Sequence, residues 1–100
     1  MTPQEFFKND LFAEKAGIVL MEVREGYSKA RLEIKKEHLN AGNRTQGGAI
    51  FTLADLALAA AANSHGQLAF SLSSNITFLR ASGEGDTLNA TSDEAPDTIR

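Results

Sequence analysis

The chain has 100 residues, 42% hydrophobic and 23% charged, which suits one folded domain with a modest core and not a multidomain assembly. A formal net charge of -3 argues against a general nucleic-acid binder, which carries a basic stripe. The lack of cysteine excludes disulfides and thiolate metal sites, and no apolar run approaches the roughly 18 residues that a membrane span needs.

Thr2-Pro3-Gln4-Glu5 has the form of a helix start: Thr2 caps, Pro3 fits the first helical position and Glu5 sits in the acid-favouring first turn. Phe6, Phe7, Leu11 and Phe12 follow at helical spacing, which predicts one short helix over about residues 3 to 14, ended by Gly17. This charged beginning has no long apolar run, so no signal peptide is expected, and a cytoplasmic location is. Ile18 to Val23 is rich in strand formers, and Arg24-Glu25-Gly26 is a hairpin turn. Tyr27 to Ile34 alternates, with Ser28, Ala30, Leu32 and Ile34 on one face and Tyr27, Lys29, Arg31 and Glu33 on the other.

Residues 35 to 46 form a polar loop, after which Gly47-Gly48 opens an alanine- and leucine-rich helix reaching Asn63, with Gly66 as a stop signal. Because this helix is apolar nearly all round, burial over most of its surface is expected. Leu68 to Leu79 reads as a long strand, Ala81 to Asp86 as a turn, and Thr87 to Thr91 as the start of another strand. The tail is polar and interrupted by Pro96. The order helix, strand, strand, long helix, strand, strand predicts an α+β domain, an antiparallel sheet with one helix packed on it.

No nucleophile elbow, phosphate-binding loop or dinucleotide fingerprint is present, and His38 and His65 are too isolated for a metal site. Four residues are candidates for chemistry. Asp55 is the only ionisable group between Gly47 and Ser64, so it is either solvated on an exposed stripe, paired, or held in a cavity. Gly47 begins a helix whose unpaired N–H groups and partial positive charge suit a developing oxyanion; the plain alternative is a turn into a helix. Asn40 has an amide that can orient a water or a substrate, or simply hold a turn. Ser71 is a possible hydrogen-bond donor, and equally ordinary strand sequence.

Together, His38-Leu39-Asn40, Gln46 through Asp55, the alanine-rich run to Asn63-Ser64, and Ser71 through Leu79 resemble the hotdog-fold acyl-CoA thioesterases of the phenylacetate-pathway and 4-hydroxybenzoyl-CoA type. The likeness runs from about Phe6 to Asn89. It implies a hotdog fold, an antiparallel sheet wrapped round one central helix, over a single domain of residues 1 to 100. In that family the matching positions supply an orienting amide (Asn40), an oxyanion N–H (Gly47), the catalytic carboxylate (Asp55) and an assisting serine (Ser71). The resemblance also implies hydrolysis of an aryl- or medium-chain acyl-CoA, with coenzyme A as part of the substrate and no other cofactor, in a homodimer or homotetramer.

Two departures stand out. Gln46 occupies the place of the family's usual histidine, and family members continue for two further strands beyond the one near Thr87, so an incomplete domain is expected. Gly47 and Asp55 are eight residues apart, roughly 12 Å along a helix at about 1.5 Å per residue. One carbonyl meets both only if they come from two different helices, and two antiparallel copies related by a twofold axis would do this. The rival functions are a dehydratase or hydratase on the same fold, for which His38 is the sole nearby base, and a non-catalytic acyl-CoA-binding protein. Phe51, Leu58, Phe70 and Phe78 are candidates for an acyl pocket or for the core, and Lys35, Lys36 and Arg80 for contacts to phosphate or for plain solubility.

Overall fold

The computed structural model describes residues 2–64 and 82–93. The expected strand from Leu68 to Leu79, and with it Ser71, Gly66 and Arg80, lies outside the described residues. In chain order the elements are α1 (Pro3–Phe7), α2 (Leu11–Ala16), β1 (Val19–Arg24), β2 (Tyr27–Glu33), a single 3-10 turn (Lys36–His38), α3 (Gly47–Ala62) and β3 (Thr87–Asp93).

The single helix expected over residues 3 to 14 is in fact two. Thr2 caps α1 by accepting from the Glu5 N–H, as its sequence suggests. The helix then stops at Lys8, and Asp10 caps a new one through a 3.1 Å bond from the Ala13 N–H to its carboxylate. Asp competes for backbone N–H groups and so favours caps over helix interiors. The apolar stripe that suggested continuity is not the buried one: Leu11 and Phe12 are exposed, while Ala13 is buried. Gly17 ends α2 as expected, with a left-handed φ of 88° that disfavours other residues.

β1 and β2 form an antiparallel hairpin round Glu25 and Gly26, and β3 pairs antiparallel with the other edge of β2, giving the order β1-β2-β3. The register shifts between Leu20 and Glu22, leaving Met21 as an extra residue. That bulge turns both Leu20 and Val23 inward, although they are three residues apart. In β2 the alternation is clean: Ser28, Ala30 and Leu32 are buried, and Ile34 just beyond the strand is too.

α3 packs on this sheet through Leu53, Leu56, Ala57, Ala60 and Ala61, at spacings of three and four that make one helical stripe. Alanines there allow close approach, and the Ser28 hydroxyl donates across the interface to the Ala57 carbonyl. The rest of the core is Ala13, Ile18, Ala30, Leu32 and Ile34. The expectation of burial nearly all round α3 is corrected, because the sheet covers one side only. Gly48, Phe51, Asp55 and Leu58 are exposed on the other, a largely apolar face that the described elements do not pack against. Among the described residues, no helix is long and apolar enough to cross a membrane.

Candidate active site

The segment leading into α3 is more ordered than its polar sequence suggests. His38 is 6% exposed and fully engaged. Its Nδ1 accepts from the Lys35 N–H at 2.8 Å, so Nε2 carries the ring proton and donates to the Ala16 carbonyl. This clasp ties the loop to the end of α2. It also leaves His38 poorly suited as a base, since both ring nitrogens already have partners.

Leu39 and Thr45 pair as an isolated bridge, and the turn between them is held from within by Asn40. The Asn40 Oδ1 accepts from the Gly42 N–H at 2.9 Å and the Arg44 N–H at 3.1 Å, while its backbone N–H donates to the Arg44 carbonyl. Asn43 takes a left-handed φ of 60°, which Asn tolerates better than most residues. Asn40 therefore shapes a turn, the plainer of its two readings. The same bonds commit its oxygen and leave its Nδ2 as the end able to donate outward. A second tie comes from the segment ahead of β3: the Thr45 N–H donates to the Ser82 carbonyl and the Ser82 hydroxyl to the Thr45 hydroxyl.

Gln46 is the cap of α3. Its N–H donates to the His38 carbonyl at 2.7 Å, and its side-chain Oε1 accepts from the Gly48 N–H at 2.7 Å. Ala49 and Ile50 both donate to the Gln46 carbonyl. Of the first four amides of the helix, only Gly47's has no acceptor among the described residues. A helix start normally leaves several such donors; here they are reduced to one. Sequence reasoning singled out Gly47 but not Gln46 as the residue that isolates it. The signal was present in the substitution at that position, yet the pairing depends on a side-chain rotamer that no spacing specifies.

Asp55 lies two turns further along, on the exposed face of α3, with Phe51 one turn before it and Leu58 one turn after. Both apolar neighbours are partly exposed, at 36% and 41%. Thr52 points its hydroxyl back to the Gly48 carbonyl at 2.7 Å, so it does not compete for the carboxylate. The structure thus places Asn40, Gly47 and Asp55 on or next to one helix. It does not bring Gly47 and Asp55 to one point within a single chain, because their separation of eight residues is roughly 12 Å of helix. Ser71, Phe70 and Phe78 lie outside the described residues. Lys35 and Lys36 are exposed and make no side-chain ion pair with described residues. Among the described residues, no group of three or more His, Cys, Asp or Glu side chains is able to hold a metal ion.

A cleft of about 400 Å³ opens elsewhere, between α1, α2 and β1, floored by Phe7, Ala13, Ile18, Leu20 and Leu56. It meets the side of α3 opposite to Asp55, since Leu56 is on the buried stripe.

Against known proteins, residues 42–93 match the family model of the thioesterase superfamily. A relative from Archaeoglobus fulgidus, whose name claims no more than provisional esterase status, is 48% identical over 88 residues, 88% of this chain and 57% of its own length. The acyl-coenzyme A thioesterase PaaI of Escherichia coli is 38% identical over 85 residues, 85% of this chain and 61% of its own. The solved structure of the E. coli PaaI protein, from the phenylacetic acid degradation operon, superposes with a TM-score of 0.83 at 37% identity, covering 87% of this chain and 63% of that one. A Streptococcus mutans protein solved with acetyl-CoA bound gives 0.68 at 30% identity, covering 72% and 58%. The architecture is accordingly the α+β hotdog fold, α3 being its central helix. The chain spans about three fifths of the length of the curated relatives it matches.

Proposed function

We propose a function from one premise: the chain belongs to the thioesterase superfamily, in its PaaI-like, hotdog-fold branch. It is one hotdog domain that hydrolyses acyl-CoA thioesters, with aryl or medium-chain acyl groups as the preferred class. Water adds to the thioester carbon, the C–S bond breaks, and the products are a free acid and the thiol of coenzyme A. Coenzyme A is part of the substrate, and the mechanism calls on no other cofactor.

The observation that carries this reading is the Gly47 amide at the head of α3, without an acceptor among the described residues, on the same helix as an exposed carboxylate set in an apolar face. The Gly47 N–H, at the positive end of the helix, binds the thioester oxygen and stabilises the charge that develops on it. Asp55 activates water as general base or attacks as nucleophile. Asn40, its oxygen committed to the turn, offers Nδ2 to the water or the thioester, and Ser71 is an auxiliary donor.

Because one α3 cannot bring Gly47 and Asp55 together, the site is shared. Two copies of α3 lie antiparallel across a twofold axis, each covering the other's Phe51 and Leu58. The assembly is a homodimer, or a homotetramer built from two dimers, and its location is the cytoplasm.

The test is thiol release from phenylacetyl-CoA and octanoyl-CoA, run beside hydration of crotonyl-CoA. Thioester cleavage without hydration is expected. Hydration without cleavage would favour the dehydratase alternative, against which the engaged nitrogens of His38 already speak. Tight binding with neither reaction would make this an acyl-CoA-binding protein.

A further inference from the structure

We infer that Gln46 is a positioning residue of this site, selecting the amide that meets the thioester and adding a second donor beside it; the inference rests on the thioesterase reading above. The Gln46 Oε1 accepts from the Gly48 N–H at 2.7 Å, which consumes the amide that would compete with Gly47's. A side-chain amide has one acceptor end and one donor end. With Oε1 turned to Gly48, the Nε2 end is turned away from the helix backbone. It has no acceptor among the described residues, and the side chain is exposed. The backbone at Gln46 is equally fixed, since its N–H donates to the His38 carbonyl at 2.7 Å and its carbonyl accepts from Ala49 at 2.9 Å. His38 is itself pinned at both ring nitrogens. The backbone groups of Gln46 and its Oε1 are thus committed, and Nε2, on the residue ahead of Gly47, is the polar group of Gln46 left to donate. Two neutral donors then serve one oxygen, and neither changes charge with pH.

A purely structural cap makes a different forecast from a positioning residue. Gln46→Glu keeps an oxygen acceptor for the Gly48 N–H and puts negative charge at the positive end of α3, so the helix and fold persist. It removes the donor. Gln46→His keeps an acceptor nitrogen and a donor nitrogen together.

The experiment is steady-state hydrolysis of phenylacetyl-CoA and octanoyl-CoA by the full chain and both variants, from pH 5 to pH 8, with melting temperatures measured alongside. The titratable and charged groups of the loop leading to residue 46 are Lys35, Lys36, Glu37, His38 and Arg44, and all are common to the three proteins. For Gln46→Glu we expect kcat to fall about 10- to 100-fold at pH 8, with KM changed by less than about threefold and no drop in melting temperature. The ratio of variant to wild-type kcat should stay low from pH 5 to pH 8, because the positive end of α3 and the Gly48 N–H keep the new carboxylate ionised and unable to donate. Gln46→His should retain most of kcat. Wild-type kcat in Gln46→Glu at pH 8, or an equal loss of kcat in Gln46→Glu and Gln46→His, would reduce Gln46 to a cap and overturn the inference. Failure of the wild-type chain to release thiol from any acyl-CoA would instead overturn the thioesterase reading, and this inference with it.

Discussion

At the scale of single residues, Asp55 and His38 make opposite forecasts. Asp55 is exposed and takes part in no core contact, so Asp55→Asn should leave the melting temperature unchanged. The same variant should lose about 10²–10⁴-fold in turnover, the range a positioned acid–base group supplies. Turnover near wild type would remove Asp55 from the chemistry. His38 is buried and satisfied at both nitrogens, so His38→Ala strands the Lys35 N–H and the Ala16 carbonyl. Chemical denaturation should show a loss of about 1–3 kcal/mol, the penalty for leaving buried polar groups unmade. Between the two glycines, Gly47→Val should reduce turnover far more than Gly48→Ala. Among the described residues a Cβ at Gly48 meets only the Gln46 Oε1, at an acceptable 3.4 Å, and Ala favours the helix by about 1 kcal/mol over Gly. Equal activity of the two variants would argue that the Gly47 amide touches no substrate.

At the scale of elements, the contact between α3 and β2 is set by Ser28 beneath Ala57. Ser28→Ala removes one hydrogen bond and should cost about 1 kcal/mol. Ser28→Val also forces volume into a layer where Ser28 has no exposed surface, and should cost about 1–3 kcal/mol more by overpacking. Urea denaturation that ranked Val above Ala would deny that close approach matters there. These elements were legible in the sequence to different degrees, for physical reasons. The alternation of β2 and the extent of α3 were plain because burial imposes periods of two and about 3.6. The break between α1 and α2 was hidden because Leu11 and Phe12 continue an apolar spacing without being buried, and only Asn9-Asp10 signalled a new cap. Asp55 stood out by charge contrast alone. The isolation of the Gly47 amide did not, since it depends on where one Gln side chain turns.

For the molecule as a whole, the proposed shared site sets the exposed face of α3 against a second copy of the chain. Mixing the inactive variants Gly47→Val and Asp55→Asn should restore activity once subunits exchange, because one site of each mixed dimer then holds both intact residues. Mixed dimers shown to form but lacking activity would confine the chemistry to one chain. A further consequence follows from the ties that converge ahead of α3. The amides of Ile34, Thr45 and Gly85 bond across segments far apart in the chain, to Asp86, Ser82 and Ile34, and that of Gln46 bonds to His38. Those four protons are shielded by one cooperative unit, and their exchange with deuterated solvent should be slow and nearly synchronous. Wedged directly after them, the Gly47 proton has no acceptor among the described residues. It should exchange at the rate of an open peptide, a lone fast proton in a slow neighbourhood. Its slowing when a thioester analogue is added would report occupancy of the site from a single amide, without any mutation.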